Sequence, residues 1–304
     1  MLLGMLASGI AVGADTGYLY IRAEYPLSQI CMQDAIKEFE KTGVYSRTGF
    51  KFHIVRGAGS YVCGEETALL NSIEGLRPEV RIRPPYPATE GLFGRPTLLS
   101  NVETLAAIPW VLEHGGKAFS AIGTEKSSGT KLLSLDSSFN NPGVHEVAMG
   151  TTMNQVIYES GGGFKTEMKA LQVGGPLGSI VPIGKVKELT VDFESFDKKG
   201  FLLGHAGIVG IPRNFPMIEF LRHLFTFMAE ESCGKCLPCR LGTEKGSQML
   251  KLVSENTPIE RSVFNDLLET LELGSLCALG GGLPLPVRNI MKYFSNELTE
   301  YFTA

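Results

Sequence analysis

The sequence predicts three successive regions: a layered α/β domain, a small β-grasp-like domain and a C-terminal bundle of four helices. Three observations carry that prediction. Over residues 1–125, apolar stretches with helical spacing alternate with short strand-like runs. Over 126–200 the pattern changes to short β-rich runs separated by Gly and Asn-Pro-Gly turns. In the last region, 201–304, long amphipathic segments dominate from residue 214 onward.

The elements follow in order. The opening run MLLGMLASGIAVGA is apolar, has no Lys or Arg before it and is too short to span a bilayer. It reads as a buried helix feeding a strand at Tyr18–Ala23, in preference to a signal peptide. SQICMQDAIKEFEKTG places apolar residues on one helical face and stops at Gly43, and KFHIVRG then alternates as a strand. RPEVRIRPPYPATEGLFGRPT is a loop dense in Pro and Gly, and NVETLAAIPWVLEHGG is a helix capped by Asn101. KLLSLD and GVHEVAMG are short strands around the turn NNPG. TTMNQVIYESGGG is a helix with a Thr cap and a Gly stop, and KALQVGG returns to strand before a polar tail to Asp197. Four helices complete the chain: FPMIEFLRHLFTFMAEES, CRLGTEKGSQMLKLVSE, IERSVFNDLLETLEL ending at Gly274, and PVRNIMKYFSNELTEYF with Pro286 near its start.

The composition is that of a globular chain, with 43% hydrophobic and 20% charged residues in 304. A net charge of −4 argues against a nucleic-acid partner. No segment reads as transmembrane, so direct membrane insertion is not expected. Six cysteines are too few for a disulfide-rich secreted chain. Arg77, Arg81 and Arg83 form a short basic cluster that reads on composition as a solvated loop. Cys31 and Cys63 read as small buried apolar residues. His53, His114, His145, His205 and His223 read as structural or surface residues.

Chemistry concentrates in two places. Cys233, Cys236 and Cys239 share the run ESCGKCLPCR, and Cys277 follows in GSLCALGGG. Structural zinc favours two separate C-x-x-C pairs, whereas three cysteines on one loop plus a distant fourth suit the corners of a [4Fe–4S] cubane. Zinc, and unliganded core cysteines, remain as alternatives. Gly234 and Pro238 suit a loop that turns its backbone amides toward a cluster, and such amides raise its potential. The second place is HIVRGAGSYVCGEETALLNSIEG, where a strand, a glycine loop and a helix start follow one another. That order can cradle a phosphate or a flavin edge. The adjacent Glu65 and Glu66 would repel a phosphate and suit ribose hydroxyls or a nicotinamide amide. The plainer reading is a tight turn with carboxylates matched to the helix dipole.

Taken together, ESCGKCLPCR with SLCALGGG, RGAGSYVCGEETALLNSIEG, RPPYPATEGLFGRPTLLSNVETLA and GYLYIRAEYP resemble the NADH-oxidising flavoprotein subunit of respiratory complex I. Diaphorase subunits of NAD-linked formate dehydrogenases and hydrogenases share the pattern. The resemblance covers essentially the whole chain. It implies an FMN- and NADH-binding α/β domain (1–125), a β-grasp-like insert (126–200) and a helical bundle carrying a [4Fe–4S] cluster (201–304). By resemblance Cys233, Cys236, Cys239 and Cys277 hold the cluster, and Tyr61, Gly64, Glu65 and Glu66 line the flavin and nicotinamide pocket. Asn101 and Thr104 contact FMN, Tyr86 stacks on the NADH adenine, and Arg83 meets the dinucleotide.

Members of this family also carry, upstream of the first residue here, a loop of the form GRGGAGFPTGLKW and an NADESEP-like stretch. The flavin domain is therefore expected to be incomplete at its N-terminus. The implied function is NADH oxidation through FMN, with electrons passed to the cluster and on to a partner. The alternative is a non-catalytic iron–sulfur electron-transfer or scaffold subunit without a complete flavin site of its own. The implied partners are a smaller iron–sulfur subunit and further quinone-, formate- or hydrogen-linked redox subunits. The expected location is the cytoplasm, including a peripheral place on the inner face of a membrane complex.

Overall fold

The computed structural model describes residues 1–253 and 257–303. The chain divides into two compact units, Met1–Gly116 and Lys117–Ala304. In the first unit, helix α1 (Leu2–Val12) leads into strand β1 (Thr16–Arg22), followed by α2 (Pro26–Glu40), β2 (Lys51–Gly57), α3 (Glu66–Ile73) and α4 (Val102–His114). The two strands pair in parallel, Thr16 opposite Lys51 through Arg22 opposite Gly57. A parallel pair needs a crossover, and α2 supplies it.

α1 buries Leu2 and Leu6 while Ile10 and Val12 stay exposed, so its apolar run is not buried all round. α2 starts earlier than expected because Pro26 occupies its first turn. It ends at Glu40, before Gly43, because Thr42 accepts the Tyr45 N–H and caps a separate turn at Gly43–Ser46. α2 carries no buried residue. Cys31 lies on it and is exposed, contrary to expectation, whereas Cys63 is buried.

The second unit is built on a five-stranded sheet of order β4-β3-β7-β5-β6. Its strands are β3 (Thr130–Leu135), β4 (Gly143–Ala148), β5 (Met168–Val173), β6 (Ser179–Pro182) and β7 (Gly207–Pro212). β3 and β7 run parallel at the centre, while β3–β4, β5–β6 and β5–β7 are antiparallel. Leu133, Phe139, Val156, Ile157, Leu171, Val173 and Phe196 form the core beneath it.

Two features depart from the sequence reading. The central strand β7 lies beyond residue 200, so the sheet extends into the region expected to be helical. The stretch read as a polar tail instead holds β6, whose Ser179, Ile180 and Val181 are fully buried, and a short helix at Phe193–Lys198. Lysines flanking these pieces mask them, and glycines interrupt the apolar pattern of β7.

Helices α5 (Met217–Glu231), α6 (Leu237–Val253), α7 (Arg261–Gly274) and α8 (Pro284–Tyr293) follow. Leu221, Phe225, Leu250, Phe264, Leu268 and Val287 are buried among them, with the Phe225 and Phe264 rings 5.6 Å apart. Burying one such side chain contributes about 1.5–3 kcal/mol. The expected end of the second helix at Ser254 and Glu255 lies outside the described residues. The fourth helix stops at Tyr293, earlier than expected, because Phe294 leaves the helical region at φ −123. Beyond it a two-residue strand β9 (Phe302–Thr303) pairs in parallel with β8 (Ile259–Glu260). Among the described residues, no helix is long and apolar enough to cross a membrane.

Candidate functional site

α5 ends at Glu231, and Ser232 takes an extended conformation that releases the chain into the cysteine loop. Gly234, at φ 78, turns the loop back toward α6. Cys239 sits in the first turn of α6 and is buried, while Cys233, Cys236 and Cys277 are half-buried. Cys277 precedes a short helix, Ala278–Gly282, that follows α7. None of the four forms a disulfide.

The segment after Cys277 packs against Cys239 at the position of Gly280. Burial pushes the Cys239 thiol up to about 11; the Ser232 hydroxyl opposes that shift, and Cys236, Cys277 and Cys233 add to it. A ligand must be a thiolate, so taking up a metal centre here would displace a proton from Cys239. Among the described residues, no group of His, Cys, Asp or Glu is gathered tightly enough for a single metal ion. Tetrahedral zinc would need its sulfurs about 3.8 Å apart. An all-thiol set, three from one loop and one from another, fits a larger [4Fe–4S] cubane.

The surroundings fit too. A Cβ on Gly280 would stand 2.4 Å from Ser275 Oγ and 2.8 Å from Cys239 Cβ, so only glycine admits this approach. Ser275 Oγ is buried without a hydrogen-bond partner. Such an orphaned hydroxyl beside the thiols fits a site whose sulfur acceptors come with the cofactor.

The second candidate region lies in the first unit. Tyr61–Gly64 form a single 3₁₀ turn, and Glu65 caps α3. One Glu65 oxygen, Oε2, accepts the backbone N–H groups of Thr67 and Ala68, both at 2.9 Å, and the Thr67 hydroxyl at 2.6 Å. The capping role read from the helix dipole is thus present in Glu65. Its other oxygen, Oε1, is buried without a hydrogen-bond partner, and Arg83 Nη2 stands 3.5 Å away. Arg83 Nη1 donates to Glu66 Oε1 at 2.5 Å. An acceptor left open beside a neutralising guanidinium fits a ligand that donates an N–H or O–H. Space next to Gly64 is open, for a Cβ there would touch nothing within 4 Å.

The basic cluster is more than a solvated loop. Arg81 donates to Asn71 Oδ1 at 2.7 Å, to the Gly91 carbonyl at 3.1 Å and to Glu74 Oε2 at 2.6 Å. Glu74 also accepts the Phe93 N–H at 2.7 Å. Burial pushes the Glu74 carboxyl up, but Arg81 and the Phe93 N–H outweigh it and hold the pKa below the usual value. This network ties the Pro- and Gly-rich loop to α3. Sequence reasoning missed it because its partners are spread from 71 to 93, and missed Ser232, Ser275 and Gly280 beside the cysteines.

The structure brings Glu65, Glu66 and Arg83 together. Tyr86 is 59% exposed, with its ring open to a stacking partner. Asn101 Oδ1 accepts the Thr104 N–H at 2.8 Å, so this pair forms the cap of α4. His53 stacks on Tyr18 and His114 on Trp110, which gives both rings structural places.

Four clustered thiols on a helical module, and a carboxylate-capped glycine loop in an α/β unit, define an iron–sulfur redox protein. Comparison with known proteins carries the assignment further. Residues 1–110 match the family model described as the Nuo51 FMN-binding domain. Residues 219–301 match the NADH-ubiquinone oxidoreductase-F iron–sulfur binding region. A NADH-quinone oxidoreductase subunit of Rhizobium meliloti is 36% identical over 308 residues, covering 98% of this chain and 73% of that one. The NADP-reducing hydrogenase subunit HndC of Solidesulfovibrio fructosivorans is 37% identical, covering 96% of this chain and 62% of that one. The solved NAD⁺-reducing [NiFe]-hydrogenase in its H₂-reduced state superimposes with a TM-score of 0.90 at 30% identity, covering 99% of this chain. The chain spans about half of that hydrogenase chain, 51%. The chain belongs to the family of NADH-oxidising subunits of NADH-quinone oxidoreductases, NADH dehydrogenase-type flavoproteins with an FMN-binding domain and a [4Fe–4S] region. FMN, NAD(H) and the [4Fe–4S] cluster are the cofactors expected from the sequence, and the family supports all three.

Proposed function

We propose that this chain oxidises NADH and delivers the electrons singly, through a [4Fe–4S] cluster, to a partner redox subunit. The single observation that carries this reading is the packing of the segment that follows Cys277 against buried Cys239 of the three-cysteine loop. When bound, the flavin and the cluster supply the chemistry that turns a hydride donor into one-electron traffic. The rest falls to the chain's own residues.

Cys233, Cys236, Cys239 and Cys277 hold the cluster, and the burial of Cys239 keeps water from its sulfur. Glu65 is fixed by its cap bonds, so Oε1 accepts from a ribose hydroxyl or a nicotinamide amide. Arg83 offsets the charge of Glu65 and Glu66 and so admits an anionic dinucleotide. Tyr61 and Gly64 would line the flavin and nicotinamide pocket, with the open space at Gly64 leaving room for a ring edge. Asn101 and Thr104, paired in the cap of α4, would contact FMN. Tyr86 offers a rigid face to adenine at low entropy cost.

The regions proposed are a flavin domain over 1–125, a β-grasp-like domain over 126–200 and a helical bundle over 201–304, with the sheet of the second region completed by β7 from the third. The location proposed is the cytoplasm, peripheral where the complex is membrane-bound. The partner is a smaller iron–sulfur subunit, with quinone-, formate- or hydrogen-linked subunits beyond it. Exposed Leu237, Leu241, Leu273 and Leu276 beside the cysteine segments support burial of this face by a partner.

Absorbance of the anaerobically purified protein tests the reading. A flavin spectrum bleached by NADH is expected, together with a broad iron–sulfur absorption. An iron–sulfur spectrum with no flavin uptake when FMN is supplied would leave only the electron-carrier alternative. In the active protein, Tyr86→Ala should raise the KM for NADH roughly tenfold, since stacking on a base is worth about 1–3 kcal/mol. Tyr86→Phe should leave KM near the wild-type value, and equal effects of the two would refute the stacking role.

A further inference from the structure

We propose that Ser232 sets the reduction potential of the cluster by donating a hydrogen bond to the Cys239 sulfur. The inference rests on the cluster assignment above and deepens it. Ser232 Oγ lies 3.3 Å from Cys239 Sγ. In the protonated thiol either atom can donate. A cluster ligand carries no proton, so the sulfur can only accept and the serine must donate.

The hydroxyl is already oriented for this. Its oxygen accepts the Gly234 N–H at 3.3 Å, which leaves its own proton available to the sulfur. Backbone amide, hydroxyl and sulfur thus form a short relay, in which each bond polarises the next. The relay is held by the end of α5 on one side and the first turn of α6 on the other. Because Cys239 is the buried member of the four, water does not compete for this acceptor as it would at an exposed sulfur.

The consequence is electrostatic. Reduction adds one electron to the cluster and its ligands, with no bond formed or broken. A donor aimed at a ligand sulfur stabilises the more negative state more than the oxidised one, so it raises the potential. Ser275 is a second candidate donor, for its buried hydroxyl has no partner and crowds Gly280 together with Cys239. Ser232 carries the inference because its bond to sulfur is already formed.

The test is a redox titration of the protein in its complex, following the reduced cluster by EPR. Wild type, Ser232→Ala, Ser232→Thr and Ser275→Ala are compared after iron and sulfide analysis. Ser232→Ala is expected to keep its full cluster and to favour the oxidised state three- to tenfold more, where tenfold is 59 mV for one electron. Ser232→Thr keeps the hydroxyl and should restore the wild-type potential. A fully loaded Ser232→Ala with an unchanged potential would overturn the inference and leave the cluster assignment standing. So would loss of the cluster in both Ser232 variants, which would mark an assembly role. A wild-type protein without any iron–sulfur signal would overturn the assignment and the inference together.

Discussion

Replacing Cys239 with alanine is expected to abolish the cluster, with bound iron falling from about four atoms per chain to below about one. Cys239 is the buried member of the four thiols and the one on which the Gly280 turn packs. The loss should extend to folding, because a metal centre's binding energy is also folding energy for the loops that grip it. The α5–α6 connection and the segment around Cys277 should therefore become protease-sensitive. Cys277→Ala should behave alike, since the fourth corner comes from a different part of the chain. Cys31→Ala is the control, as Cys31 is exposed on a helix that buries nothing. Iron and sulfide analysis of anaerobic protein decides the matter, and full iron in Cys239→Ala would refute the assignment.

Arg81→Met should destabilise the first unit by about 3 kcal/mol or more, because it strands a largely buried carboxylate. Glu74 is only 13% exposed, and Arg81 also satisfies Asn71 and the Gly91 carbonyl. For a unit of this size the melting temperature should fall by roughly 15 °C. The same pair sets an acid limit. A carboxylate held below its unfolded pKa of about 4.3 contributes its full stability above that value. The contribution is lost as pH falls through the lower, folded pKa. In thermal melts across pH 3–7, Glu74→Gln should be less stable at neutral pH and should lose less stability on acidification than wild type. Parallel acid limbs in the two proteins would show that this carboxylate contributes nothing to the profile.

The cysteine site was the most legible part of the sequence, because three ligands at two-residue spacers need no tertiary context to be seen. Helix starts with a chemical marker were legible as well: Asn101 caps α4, and Thr152 caps the turn that begins at Met153. What escaped were contacts made across distance. Strand β7 is short and interrupted by glycine, and it is a strand because β3 and β5 flank it. Arg81 and Arg83 looked like solvated charges, and only the return of the loop onto α3 gives them carboxylates to meet. Glu65 was readable either as a helix cap or as a ligand acceptor. The structure gives one oxygen to the cap and leaves the other open, a division that no residue pattern encodes.

Asn289 adds a lesson for dissecting the chain. Its buried side chain accepts the Ile180 N–H at 3.2 Å and donates to the Gly200 carbonyl at 3.4 Å, so α8 is bonded to the sheet edge and to a loop beyond it. The stretch that matches the iron–sulfur family model, residues 219–301, begins inside α5 and omits both partners. A recombinant fragment cut at those limits would expose a buried amide and the apolar flank of α8 to solvent. Severing the chain near residue 117 breaks none of these bonds. A portable iron–sulfur cassette should therefore keep the sheet as its chassis, as the compact segment from 117 onward does.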